Sequence, residues 1–459
     1  MSTSKKIRYF CFIAQYEFYL EELMSRLRKN QVISTVGGNP IKVLERIGEG
    51  GQGIVYKVLY DKKKYALKWY KKSPSQAFYD NLKENAETGS PADTFLWPLA
   101  ITECDDDGSF GYVMNLCPPS YKSLSQFLLN HVVFESLSAW INAGMQITAS
   151  FRALHNKGYS YQDLNDGNFF IDPKTGNVLI CDNDNVAPNG INLGILGKPR
   201  YMAPEVVASK HLPDKYSDYF SLAVILFLLF FRGHPLEGNR DNCDNANNEL
   251  DLFCKKSLFV FDPKDVSNRP NPTVHKNVIN LWPIFPSFVR DTFTKAFDRK
   301  LLKPVADGGR CDRINEKEWL KMFRKLRHSI VTCPKCKKET FFNMKKEIYK
   351  CMECGVNIQK PASLVINMDI IPLQPKQKLY SYEIDSYEEL TIESINQEVG
   401  EVIEHPSKPG IWGLKNTSTL TWYRNTPGGM ENICNPNDVA IIIKGQKIKF
   451  GTKGEGSVV

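Results

Sequence analysis

Residues 161–168 read Tyr-Gln-Asp-Leu-Asn-Asp-Gly-Asn, which sets an acid, Asp163, and an amide, Asn168, five residues apart. A second acid, Asp182, follows a short hairpin pattern: Phe169-Phe-Ile-Asp172, a turn at Pro173 to Gly176, and Val178-Leu-Ile-Cys-Asp182. Oxygen donors in this order can converge on one centre of magnesium and phosphate. Asp166, Asp184 and Asn185 read equally well as ordinary turn residues. Upstream, Gly48, Gly50 and Gly53 fall between two strand-like runs, a spacing that lets backbone amides approach phosphate oxygens without side-chain clash. A strand and not a helix follows them, which disfavours a dinucleotide-binding turn. Fifteen residues beyond Gly53, Lys68 interrupts an apolar strand, a costly place for a cation unless an anion meets it. Far downstream, Cys333-x-x-Cys336, a 14-residue interval and Cys351-x-x-Cys354 have the spacing of a four-thiolate zinc site built on two turns. Zinc suits four soft thiolates, and such a closed site stabilises a fold; redox-active cysteine pairs are the alternative.

The elements that must position these residues change character along the chain. Ile41 to Ile47, Ile54 to Tyr60 and Tyr65 to Trp69 alternate as strands of an antiparallel sheet, with a turn at residues 61–64. Ser75 to Glu87 reads as a helix, Phe95 to Leu99 as the next strand, and Phe110 to Leu116 as another. Helical periodicity then takes over in Leu137 to His155, Tyr216 to Phe231, Phe288 to Phe297 and Glu316 to Leu326. The Asn- and Asp-rich run from Gly238 to Asp251 reads as a solvated loop. After the cysteine pairs, Val356 to Val459 looks all-β, with alternating stretches at Leu364 to Leu373 and Val439 to Phe450 and turns at 427–429 and Gly445. The expected segments are residues 1–40 as an extension, 41–330 in two lobes (41–115 and 116–330), 331–356 as a zinc ribbon and 357–459 as a β-sandwich.

Together the glycine loop, Lys68 and the acid–amide–acid series resemble the eukaryotic-type protein kinases, from Ile41 to about Arg327. The resemblance implies an α+β, bilobal kinase fold that uses ATP and Mg2+ to phosphorylate Ser or Thr of a protein substrate. It implies that Gly48, Gly50 and Gly53 cover the nucleotide and that Lys68 holds its phosphates, paired with a glutamate on the next helix. Glu84 and Glu87 are available there, and Glu84 is the better placed. Val55 and Ala66 match positions that close over the adenine, and Met114 to Leu116 matches the hinge. Asp163 matches the catalytic base, and Asn168 and Asp182 match the magnesium ligands. Ala203-Pro204-Glu205 matches the end of the activation segment, Asp218 the aspartate that ties down the catalytic loop, and Arg313 the buried partner of Glu205.

Three departures from that pattern bear on control. Tyr161-Gln162 stands where His-Arg is usual, so the arginine that receives loop phosphate is absent, and residues 182–205 contain no Ser or Thr. Activation independent of Ser/Thr phosphorylation in that loop is therefore expected. Asp182-Asn183-Asp184 replaces Asp-Phe-Gly. Asn165 replaces a lysine that steadies the transferred phosphate, while Lys198 replaces a threonine facing it, an exchange that could restore the missing positive charge. A pseudokinase scaffold is the competing reading, favoured by Asn165 and the lost Phe-Gly.

The stretch Gly413 to Trp422, with Asn437-Asp438 and Lys447 to Gly451, resembles the second half of a forkhead-associated phosphopeptide-binding domain. That family's phosphate-binding arginine and Ser-x-x-His are absent, so a protein-docking sandwich is an equal reading. The order of kinase, ribbon and sandwich also resembles bacterial Ser/Thr kinases that work beside a phosphatase and a von Willebrand factor A-type protein, which implies those two partners. Composition sets outer bounds. With 459 residues, 42% hydrophobic and 24% charged, the chain has ample core for several domains and is no low-complexity polymer. A net charge of +8 is mild and names no partner; the lysines around the cysteine pairs allow nucleic-acid binding, but a solvated ribbon surface is the commoner meaning of such a run, so nucleic acid is a disfavoured partner. The longest apolar run, Phe220 to Phe231, falls short of the ~20 residues a spanning helix needs, so no membrane is expected. Twelve cysteines without a disulfide framework fit a reducing cytoplasm.

Overall fold

In a computed structural model, residues 27–194, 197–240, 249–303, 310–367, 369–385, 387–425 and 431–459 are described. Most of the expected N-terminal extension, the centre of the Asn/Asp-rich loop and the 427–429 turn lie outside them. The chain divides into two compact units: Met1–Pro119 with Leu179–Ala187, and Ser120–Val178 with Pro188–Val459.

Among the described residues, the first unit holds a six-stranded antiparallel sheet and one α-helix. Its strands are β1 (Val32–Ser34), β2 (Pro40–Glu49), β3 (Gly53–Tyr60), β4 (Lys63–Tyr70), β5 (Ala100–Ile101) and β6 (Gly111–Met114), in the order β1-β2-β3-β4-β6-β5. The sheet therefore begins at Val32, inside the expected extension. Asp61 and Lys62, both at positive φ (42° and 61°), close the β3–β4 hairpin with the twist that two-residue turns need. Period-two alternation sorts the side chains: Ile41, Val43, Ile54, Tyr56, Val58, Leu67, Trp69 and Val113 form one apolar cluster. Ala66 and Lys68 consequently emerge on the opposite face, with their cross-strand partners Met114, Val55 and Tyr112. Helix α1 (Gln76–Thr88) starts at Ser75, whose hydroxyl accepts from Phe78 N–H, and buries Phe78, Asn81, Leu82 and Asn85. Residues 95–99 are not the expected strand. Their backbone bonds are spent individually, Leu96 N–H on Ile180 C=O and Leu99 N–H on Val113 C=O, so no ladder forms.

The second unit is helical first: α2 (Leu137–Asn156), α3 (Lys215–Phe231), α4 (Ser287–Ala296) and α5 (Glu316–Arg327). The apolar run of α3 is buried from Phe220 to Phe231, as its composition requires, and no helix among the described residues is long and apolar enough to cross a membrane. Two hairpins, Ile330–Thr332 with Glu339–Phe341 and Ile348–Lys350 with Asn357–Gln359, carry the four cysteines. The last hundred residues form two antiparallel sheets of six and four strands around a core that includes Leu364, Val402, Leu414, Trp422, Ile448 and Phe450. The region is not wholly β. Short helices at Ser381–Ile384 and Ile392–Asn396 lie between its strands, and Leu364 to Leu373 is a hairpin.

Those two short helices explain why the sandwich belongs to the same compact unit as the large helices. Arg327, at the end of α5, is buried; its guanidinium donates to Tyr382 Oη (3.1 Å), Ile395 C=O (3.3 Å) and Asn142 Oδ1 of α2 (2.9 Å) and stacks over the Tyr380 ring. Next to it, buried His328 meets Glu383 at 2.6 Å. Arg152 of α2 donates to Leu390 C=O (3.1 Å) and pairs with Glu389 (2.7 Å). Buried charge demands such partners, so the C-terminal region is an integral layer against α2 and α5 and not a tethered appendage. Arg327→Met should leave three acceptors without a donor and lower unfolding free energy by roughly 2–4 kcal/mol in urea titration of the full chain; an unchanged midpoint would contradict this packing.

Candidate active site and four-cysteine cluster

Two groups of polar residues are assembled, one in each unit. In the first, Lys68 is buried on the β4 face opposite the apolar cluster. Its Nζ lies 2.7 Å from Asp184 Oδ2 and 3.3 Å from Asp182 Oδ1. Tyr70, two residues on and therefore on the same face, donates its hydroxyl to Asp184 Oδ2 at 2.5 Å. Burial alone would strip the charge from Lys68, but the carboxylates of Asp184 and Asp182 outweigh it and hold the ammonium protonated. The same burial, together with Asp184, pushes the Tyr70 phenol well above its ordinary range. Asp182 has left-handed backbone (φ 55°) and starts a tight turn at Asn183–Asn185, whose Asn183 amide donates to Leu96 C=O and Ile180 C=O.

The expected glutamate partner is elsewhere. Glu84 is exposed on α1, as is Glu87, because the buried stripe of this helix runs Phe78, Asn81, Leu82, Asn85. Asn81 and Asn85 each donate to Val186 C=O at 2.8 Å, so neutral amides join the helix to the 182–187 segment. The sequence carried this signal in the i, i+3, i+4, i+7 spacing from Phe78, which leaves Glu84 off the inward face. Asp184, Tyr70, Asn81 and Asn85 are the residues that reading by motif missed.

Of the glycines, Gly53 is required by the protein itself: a Cβ there would lie 2.6 Å from Trp69 C=O. Gly50 is not, since a Cβ would meet nothing within 4 Å. Gly48, the first of these glycines, pairs with Val55, and a Cβ there would lie 3.8 Å from the Val55 Cβ. Beside Lys68 on its face of the sheet, Ala66 and Met114 are buried and directly paired, and Val55 is half-buried. Leu116, just past β6, is half-buried.

The second group is held by Asp218, buried near the start of α3. Its Oδ2 accepts from Tyr161 N–H at 2.6 Å and its Oδ1 from Gln162 N–H at 3.3 Å. His155 of α2 bridges Asp218 and Glu316 through its two ring nitrogens. Asn168 donates Nδ2 to Asp163 C=O (2.8 Å) and Tyr161 Oη (3.3 Å), which leaves its amide oxygen as the remaining donor atom for a cation. Asn165 is buried and spends its amide locally, on Gly167 N–H and Asp163 C=O. Asp163 is half-buried, and the glycine before Lys198 lies close to it: a Cβ on Gly197 would sit 3.4 Å from Asp163 Oδ1. Lys198 is exposed. Gln162, at φ 72°, donates its side-chain amide to Ile191 C=O, so a neutral hydrogen bond occupies the position of the missing arginine. Tyr201 and Ser125 donate to the two oxygens of Asp166 at 2.6 and 2.7 Å. Glu205 is fully buried and receives both guanidinium nitrogens of Arg313 at 2.7 Å, with Arg310 at 3.2 Å. That fork offsets the desolvation that would otherwise raise the Glu205 carboxyl, and keeps its pKa below the usual range.

The model of the protein kinase domain family matches residues 41–282, more than half of the chain. The chain belongs to the protein kinase family. Similar curated proteins are a probable serine/threonine-protein kinase zyg-1 from Caenorhabditis briggsae, 24% identical over 42% of this chain and 27% of that protein, and the MAP kinase-interacting serine/threonine-protein kinase 1 of Xenopus laevis, 30% identical over 35% of this chain and 42% of that protein. The CBL-interacting serine/threonine-protein kinase 17 of Arabidopsis thaliana is 32% identical over 24% of each chain. The matches thus span less than half the length of these relatives, and the ribbon and sandwich lie outside the family match.

In this chain the four cysteine sulfurs lie within 4.8 Å of one another. Cys333 Sγ is 3.6 Å from Cys354 Sγ and Cys336 Sγ is 3.7 Å from Cys351 Sγ, far longer than a disulfide and near the ~3.8 Å edge of a tetrahedron with metal–sulfur bonds of about 2.3 Å. Desolvation pushes the Cys333 thiol up, but the N–H groups of Cys336 and Lys335 and the neighbouring thiols bring it down to about 6. The donor set therefore fits zinc.

The Asp218–His155–Glu316 cluster makes a pH prediction. Burial disfavours the His155 cation, but the two carboxylates prevail and raise its pKa from 6.5 to about 9. A raised folded pKa contributes stability that is complete below pH 6.5 and lost as pH climbs through 9. The urea midpoint should fall across that window and fall less in His155→Gln; identical pH profiles would contradict it.

Proposed function

We propose that this chain is an ATP- and magnesium-dependent Ser/Thr protein kinase. The observation that carries the reading is that Lys68, Asp163, Asn168 and Asp182 all survive, in order, within the residues that match the kinase domain. Magnesium-ATP, when bound, supplies the phosphoryl group and neutralises much of its charge. The chain's own part is positioning: Lys68 meets phosphate oxygens, Gly50 leaves its backbone open to them, and Asp182 and Asn168 offer the hard oxygen donors magnesium prefers. Asp182 suits this role because its side chain is 45% exposed, in contrast to Asp184. Val55, Ala66, Met114 and Leu116 close over the base. Asp163 accepts the proton of a substrate hydroxyl, fixed in place by its neighbours' bonds to Asp218.

Lys198 compensates for Asn165, whose amide is committed locally. Purified full-length chain incubated with labelled ATP and magnesium should label itself or a generic basic protein; Asp163→Ala should abolish the label, and Lys198→Met should reduce it by about 100-fold, as for loss of one preorganised charge donor. No label from wild type while nucleotide still binds would favour the scaffold reading, which the commitment of Asn165 supports.

Zinc closes the ribbon. Full-length chain should purify with one zinc per molecule, and Cys351→Ser should lose it and lower the thermal midpoint; metal-free protein with unchanged stability would refute the assignment. The sandwich is assigned to docking of a protein partner, with the phosphatase and von Willebrand factor A-type protein as candidates.

A further inference from the structure

We infer that Asp184, and not an acid on helix α1, is the fixed counter-ion that positions Lys68 for the nucleotide's phosphates. The inference rests on the kinase reading and names a positioning residue within it. Three observations carry it. First, the pair is dry: the Asp184 side chain is fully buried and that of Lys68 is 7% exposed, at 2.7 Å, so each ion depends on the other. Second, Asp184 is itself immobilised. Its Oδ2 also accepts from Tyr70 Oη, and its turn is pinned by the Asn183 amide on two backbone carbonyls. Third, α1 presents no carboxylate inward; Glu84 and Glu87 are exposed, and Asn81 and Asn85 dock the helix through Val186 C=O.

The two acids of the motif thereby divide their work. Asp182 is the more distant and more exposed, and is able to exchange Lys68 for a metal ion while Asp184 keeps the ammonium compensated. Because the lysine's anchor lies on the metal-motif segment, the alignment of Lys68 does not require an ion pair from α1. Control by swinging that helix in and out loses its charge-based lever.

A double-mutant cycle on the full-length chain tests this with two readouts. In urea unfolding, Lys68→Met strands the Asp184 carboxylate and should be clearly less stable than wild type, and adding Asp184→Asn should recover stability, whereas adding Glu84→Gln should not. In titration calorimetry with magnesium-ATP, Lys68→Met and Asp184→Asn should each weaken binding at least ~10-fold, and the double variant should be no weaker than either. Glu84→Gln should bind within about twofold of wild type. Rescue by Glu84→Gln, additive losses in the cycle, or wild-type affinity in Asp184→Asn would each overturn the inference. If wild type bound no nucleotide, the kinase reading would fail while the stability arm still judged the ion pair.

Discussion

A cation cannot remain unpaired inside a protein, and Lys68 is such a cation. Strand alternation forces it onto the face of the sheet opposite the apolar cluster, where water is largely excluded. Everything around it answers that constraint: the buried Asp184, the Tyr70 hydroxyl on the same carboxylate, and the tight turn that holds the acid in place. The cost of burying the pair falls at the position to which the proposed function gives a phosphate-binding charge, where a cation without a fixed counter-ion would be least tolerable.

The same logic of buried carboxylates and donors organises the other unit. Asp218 gathers two backbone N–H groups of the 161–168 loop and the His155 ring, and His155 in turn reaches Glu316. Glu205 takes a bidentate fork from Arg313. At the end of α5, Arg327 and the following His328 repeat the pattern with Tyr382 and Glu383, and so join the C-terminal layers to the helical body. The region outside the family match is thus built onto the helices of this unit by the kind of interaction that orders the 161–168 loop.

Much of this was legible in the sequence because the signals were local. The helix patterns from Leu137, Tyr216, Phe288 and Glu316 each lie within a residue of the observed elements, since apolar periodicity and caps decide them. Cysteine spacing marked the cluster for the same reason. What failed depended on distant partners. Residues 95–99 look like a strand by composition, yet their amides bond to separate segments. Distance along the chain favours Glu84, but helix phase turns it outward and the lysine's mate comes from more than a hundred residues away. The attachment of the sandwich to α2 and α5 rests on Arg152, Arg327 and His328, which carry no signal until both surfaces exist.

The most direct measurement is a crystal structure of the full-length chain grown with manganese and a non-hydrolysable ATP analogue. Anomalous density for manganese at Asp182 and Asn168, with Lys68 on the nucleotide phosphates and still bonded to Asp184, is the predicted result. Nucleotide absent from the glycine loop, or Lys68 paired with Glu84 instead, would contradict the account.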